Sequence, residues 1–171
     1  MTLFDPIACA ERLARNPGVL IEKIAASSGG SPAEVIECLP KLMRRRAPGS
    51  ALVAVLEDIA AWGEVTTIVN SADLIFEVTG PFPRGQVGHG FYNLESRTGL
   101  HGHLRHENCV AIYFVRRPFM KKETASLLFA NASGGIMFKV FLGRDEAGEL
   151  RADQIERFEA LAAALTETGD E

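Results

Sequence analysis

Val65-Thr66-Thr67-Ile68-Val69, then Asn70-Ser71-Ala72-Asp73, then Leu74-Ile75-Phe76-Glu77-Val78: two runs rich in β-branched residues on either side of a polar connector decide the class of this fold. Such runs read as two strands joined by a hairpin or tight connection. Downstream the same texture continues. Phe91 to Leu94, Leu100 to Arg105, Val110 to Arg116, Ala125 to Ala130 and Ile136 to Leu142 are further strand candidates. Arg97-Thr98-Gly99, His106-Glu107-Asn108 and Asn131-Ala132-Ser133-Gly134-Gly135 punctuate them, and Gly143-Arg144-Asp145 closes the series. Gly80 to Gly90, dense in glycine and proline, reads as a surface loop. Short connections between many strands predict a largely antiparallel sheet.

Helical patterns flank this region. Asp5 before Pro6 is an N-cap followed by proline in the first turn, and Asn16-Pro17-Gly18 ends that helix. Val19, Leu20, Ile21 and Ile24 mark a second helix stopped by Gly29-Gly30. Ser31-Pro32-Ala33-Glu34 is a capping box that opens a third, and Pro40 closes it. Arg44, Arg45 and Arg46, before Pro48-Gly49, read as a solvated linker, so residues 1–47 form a small helical N-terminal subregion. A fourth helix runs from Ser50 to Trp62 with Leu52, Val53, Leu56 and Ile59 as its apolar stripe. Asp153 caps the last helix, with Glu156 in the reciprocal position and Phe158, Leu161 and Leu165 facing inward. The predicted class is α+β: a large, mostly antiparallel sheet with N-terminal helices and a C-terminal helix, in one domain over residues 1–171.

Composition narrows the function. An apolar fraction of 47% fills a real core, and a net charge of -4 does not favour non-specific binding to nucleic acid, which rests on a broad positive surface, though it leaves room for a local basic patch. No apolar run reaches the roughly 20 residues of a membrane span, and no basic segment precedes an apolar one as in a signal peptide. Cys9, Cys38 and Cys109 form no CxxC pair and read as reduced thiols in a cytoplasmic protein.

All four histidines lie between His89 and His106. In a strand, alternation puts His101, His103 and Arg105 on one face and Leu100, Gly102 and Leu104 on the other. Imidazole suits iron, zinc or copper. His89, His101 and His103 lack the HExxH spacing or acidic partner of a discrete zinc site. Haem instead needs one or two axial ligands, a broad apolar wall and cations for its propionates. The sheet region is rich in phenylalanine and tyrosine, and Arg116-Arg117 with Lys121-Lys122 around Pro118-Phe119-Met120 supply a cationic rim. Enzyme signatures are thin. Gly85-Gln86-Val87-Gly88-His89-Gly90 lacks the lysine and hydroxyl residue of a P-loop, and there is no GxSxG elbow and no base assigned to Cys109.

Trp62-Gly63-Glu64-Val65-Thr66-Thr67-Ile68-Val69, Ser71-Ala72-Asp73, Gly88-His89-Gly90-Phe91-Tyr92-Asn93-Leu94, Gly102-His103-Leu104, Glu107-Asn108-Cys109 and Phe141-Leu142-Gly143-Arg144-Asp145 together resemble the bacterial intracellular haem-utilisation carrier family, HutX or ChuX. The resemblance runs in order over most of the chain. It implies a fold similar to one half of the larger HemS/ChuS-type haem-utilisation proteins. It also implies a cytoplasmic homodimer that binds haem b and passes it to a haem-degrading protein, with no membrane or nucleic-acid partner. It places His103 at one histidine ligand position and Asn70 at the other, where an amide is a poor iron ligand. Three ligand sets follow: His103 alone with water opposite, His103 with His89 or His101, or a phenolate from Tyr92 or Tyr113. Arg116, Arg117, Lys121 and Lys122 are the candidates for propionate or partner contacts. The competing readings are a haem-degrading oxygenase, a DNA-binding module on the first three helices, and a structural protein whose histidines bind nothing.

Overall fold

The computed structural model describes residues 3–95 and 99–166, so Arg97 and Thr98 of the expected turn fall outside the described residues. Helices α1 (Pro6–Arg15), α2 (Ile21–Ser28) and α3 (Pro32–Glu37) form where the capping signals predict. The Asp5 carboxylate accepts the Ile7 and Ala8 N–H groups at 2.9 and 3.1 Å. Gly29 ends α2 in the left-handed region at φ 73°, which glycine adopts without a Cβ penalty. The Ser31–Glu34 capping box is complete, and its hydrogen bonds hold the Glu34 carboxyl below its usual pKa.

The chain after α3 departs from expectation. Arg44–Pro48 is strand β1, not a linker, so the helical part stops at Met43. It pairs antiparallel with β7 (Cys109–Phe119), Arg46 opposite Tyr113. Its arginines are anchored by carboxylates: Arg44 on Glu37 at 2.7 Å and Arg45 on Glu159. The run of positive charge is therefore compatible with an edge strand. Helix α4 (Leu52–Ile59) buries Leu52, Val55, Leu56 and Ile59, while Val53 is only half-buried.

The remaining strands are β2 (Glu64–Asn70), β3 (Ile75–Pro81), β4 (Arg84–Gly88), β5 (Phe91–Glu95), β6 (Gly102–Leu104), β8 (Lys122–Asn131) and β9 (Ile136–Leu142). They form a six-stranded sheet in the order β1-β7-β8-β9-β2-β3 and a three-stranded sheet in the order β4-β5-β6, every pairing antiparallel. The expected loop from Gly80 to Gly90 is thus corrected: it contains the end of β3 and all of β4. Gly85 is what lets β4 close on β5, because a Cβ there would stand 2.6 Å from both the Tyr92 ring and the Asn93 carbonyl.

Period-2 alternation splits the large sheet into two apolar faces. Ala111, Tyr113, Val115, Leu128 and Ala130 pack under α1–α3 with Leu13, Ile24, Val35 and Ile36. Ile112, Phe114, Leu127, Phe129, Phe138 and Val140 pack on the other face with α4, Tyr92 and Leu94 of the small sheet, and Phe158 of α5 (Ala152–Leu165). Asp153 is not the cap of α5. Arg151 holds that position, and Asp153 sits in the first turn, ion-paired to Arg151 at 2.9 Å.

Arg117 is one of the ties between layers. Its guanidinium is largely buried and donates to the Pro17 and Val19 carbonyls, the latter at 2.7 Å, pinning the α1–α2 turn to β7. Arg117→Ala is expected to cost about 2 kcal/mol, since two charge-assisted hydrogen bonds vanish and two carbonyls lose their donor. Urea titration checks the loss, and amide exchange near residues 16–20 should quicken with it. A loss below about 0.5 kcal/mol, the range of ordinary surface substitutions, would show that the turn holds without this anchor.

Candidate functional site

The small sheet sets His103 by register. Asn93 lies opposite His103 and Tyr92 opposite Leu104, so alternation puts Phe91, Asn93, His103 and Arg105 on one face. There the His103 Nδ1 meets the Asn93 side-chain oxygen at 2.6 Å. The Phe91 ring meets the imidazole edge-on, with centroids 5.8 Å apart. The Arg105 guanidinium lies 4.9 Å above the centroid of the same Phe91 ring. Among the described residues the His103 Nε2 has no hydrogen-bond partner.

β6 is an outer strand of its sheet, and a cleft of about 360 Å³ opens between that edge and strands β2 and β9 of the large sheet. Its walls are apolar: Phe82, Leu94, Leu100, Leu104, Met137 and Phe138. Its polar members are Thr67, His103, Arg105 and Asn108. The apolar surface continues beyond it. Val69 lines the cleft, and its cross-strand neighbour Phe76 on β3 is 64% exposed, with Val78 also exposed. One imidazole, one guanidinium and a flat apolar wall open to one side suit an amphipathic planar ligand with a metal at its centre.

The other expected ligands do not converge here. His89 is exposed in the β4–β5 turn at φ 53°, and His101 is exposed with its Nδ1 3.1 Å from the Gly99 carbonyl; neither lines the cleft. Tyr92 faces the core from the opposite side of β5. Its hydroxyl is buried with no partner among the described residues, and that burial, together with the negative charges of Glu57 and Glu95, pushes the phenol pKa up. Tyr113 lies on the far face of the large sheet beside Glu37 and Arg46, and burial pushes its phenol up to about 12. A phenolate from either tyrosine is therefore disfavoured, and neither reaches the His103 cleft.

Asn70 ends β2 one residue beyond Val69, which puts it on the opposite face, with Thr66 and Ile68. Side chains at 70 and 103 therefore do not meet across the cleft within one chain. The cationic rim is also elsewhere. Arg116 pairs with Glu123 at 2.5 Å and Glu159 at 3.3 Å, Arg117 is tied to the α1–α2 turn, and Lys121 and Lys122 stand at the β7–β8 turn. None of the four lines the cleft; Arg105 does. Alternation already places Arg105 beside His103 in sequence, while Asn93 carries no sequence signal because only strand register brings it there.

Comparison with known proteins converges on one family. Residues 45–161 match the family model for haem utilisation ChuX/HutX. The intracellular heme transport protein HutX of Vibrio cholerae is 40% identical over 153 residues, covering 89% of this chain and 79% of that protein. A crystal structure of an Erwinia carotovora protein superposes with a TM-score of 0.89 at 42% identity, over 92% of this chain and 98% of that one. The structure of the heme binding protein ChuX gives 0.84 at 37% identity, over 91% and 97%. At the level of fold alone, 94% of this chain overlays half of ChuS, an E. coli heme oxygenase, with a TM-score of 0.76 at 16% identity. That is the half-protein architecture expected from the sequence. The chain belongs to the haem-utilisation ChuX/HutX family.

Proposed function

We propose that this protein is a single-domain cytoplasmic haem carrier: it binds haem b in the His103 cleft and hands it intact to a haem-degrading protein. The observation that carries this reading is the placement of His103, whose Nε2 meets no hydrogen-bond partner among the described residues, at the lip of an apolar cleft that also holds Arg105. His103 binds the iron from one side. Asn70 offers nothing on the other side within the same chain, so water completes the coordination. Burial of porphyrin area at about 25 cal/mol per Å² supplies most of the affinity. Arg105 takes a propionate. One protein ligand and an open-sided cleft suit a cargo that must leave. The protein works as a homodimer, a reading supported by edge strand β3, where Ile75 and Phe76 are exposed on opposite faces, Phe76 on the cleft side.

A haemin titration followed by Soret absorbance tests this. The wild type is expected to take up one saturable equivalent per chain, and His103→Ala to bind at least about tenfold more weakly with a shifted band. Mixing the loaded protein with a haem-degrading protein should transfer unmodified haem. Absence of a saturable band in the wild type would overturn the proposal. Saturable binding unchanged in His103→Ala would move the ligand elsewhere.

A further inference from the structure

Asn93 makes more hydrogen bonds than its position on a three-stranded sheet requires. Its side-chain nitrogen donates to the Gln86 carbonyl at 3.2 Å and the Gly88 carbonyl at 3.0 Å, with the Phe91 carbonyl at 3.5 Å. An amide nitrogen only donates and a carbonyl only accepts, so this neighbourhood fixes which way the amide points. A flipped amide would set its oxygen against these carbonyl oxygens. The Asn93 oxygen therefore faces His103 Nδ1 at 2.6 Å, and because that oxygen only accepts, Nδ1 must carry the proton. A neutral imidazole has one ring proton. With it on Nδ1, the Nε2 lone pair is bare.

We infer that Asn93 is a positioning residue for haem: its amide locks His103 as the Nδ1–H tautomer and presents Nε2 to the iron. The inference rests on the haem reading given above. Free imidazole side chains favour the opposite tautomer, with the proton on Nε2, which cannot bind a metal through that atom until the proton leaves. Asn93 removes that requirement before the ligand arrives. The Phe91 edge contact restrains the same ring from a second direction. The acceptor is an uncharged amide, which draws less on the Nδ1 proton than a carboxylate would, and so leaves the imidazole a weaker electron donor. That is the setting of a ligand meant to let go. The four carbonyl and imidazole contacts also explain why an amide serves at position 93 where a hydroxyl would not: only a group with two donor protons and an acceptor on one rigid plane serves β4 and His103 together.

The test has two parts. Nitrogen-15 NMR of histidine-labelled protein without haemin, above the pH range where histidine titrates, reads the tautomer; His103→Gln assigns the signal. The wild type is expected to show His103 as Nδ1–H, and Asn93→Ala to move it toward Nε2–H. Haemin release to excess apomyoglobin then reads the consequence, with Asn93→Ala expected to release about tenfold faster than wild type. The wild-type spectrum keeps the test decisive even if Asn93→Ala loosens the β4–β5 hairpin. A wild-type Nε2–H tautomer overturns the inference and leaves the haem reading standing. So does an Asn93→Ala protein with unchanged tautomer and release rate that still binds haemin through His103. A tautomer that follows Asn93 in a protein binding no haemin overturns the haem reading instead, and with it the link to iron.

Discussion

Gln154→Leu is expected to destabilise the protein by about 3–5 kcal/mol, a large share of the ~5–15 kcal/mol that holds a domain together. Gln154 is fully buried in α5, an unusual place for an amide. Its nitrogen donates to the Trp62 carbonyl at 2.9 Å and the Glu64 carbonyl at 2.8 Å. Its oxygen accepts the Gly143 N–H at 2.7 Å. One side chain thus joins the segment after α4, the start of β2 and the end of β9 to the C-terminal helix. Leucine is close to it in volume, so packing survives the exchange while an N–H and two carbonyls lose their partner in a place short of water. Each such group costs about 1–3 kcal/mol. The melting temperature should fall by on the order of 10 °C. Glu156→Ala, on an exposed position of the same helix, should change stability by less than about 0.5 kcal/mol. A Gln154→Leu loss as small as that of the control would mean that the three backbone groups find other partners.

Gln154 also illustrates where the sequence was legible. The helix around it is readable from Phe158, Leu161 and Leu165, but the pattern puts the cap at Asp153 and assigns no role to the amide one position later. Polar residues that serve the backbone of other segments leave no periodic trace. The same holds for β1 and β4. Arg44-Arg45-Arg46 reads as solvent-facing chain unless Glu37 and Glu159 are known to stand beside it. Arg84-Gly85-Gln86-Val87-Gly88 reads as loop unless the Tyr92 ring is known to need the space at Gly85. Strands with a buried face are plain, because a short run of β-branched, aromatic and aliphatic residues between turn signals is local: β2, β5 and β9 fall close to where the pattern puts them. The site divides along the same line. Alternation within one strand grouped His103 with Arg105. The Asn93 contact, the departure of Asn70 to the other face and the engagement of Arg116 and Arg117 by other segments depend on register and tertiary packing, which no single strand encodes.

Phe138→Ala should lower stability by about 3–5 kcal/mol and weaken haemin binding in the same protein. Phe138 is buried, stacks on Phe129 with centroids 4.3 Å apart and planes 13° apart, and meets Phe82 at 6.4 Å. It is also part of the cleft wall, so its ring belongs at once to the core and to the binding surface. Truncation removes the stacking contacts and leaves a void continuous with the cleft, which water can enter. Hydration relieves part of the cavity penalty without restoring the lost apolar burial. The two effects can be separated by thermal melts with and without haemin. A ligand at 100 times its dissociation constant stabilises the folded form by about 2.7 kcal/mol, so haemin should raise the wild-type melting temperature. In Phe138→Ala the same haemin concentration should give a smaller rise, because less of the porphyrin face meets carbon. An equal rise in both proteins would mean that haemin sits away from Phe138, and the exposed wall of Val69, Phe76 and Val78 would then be its seat.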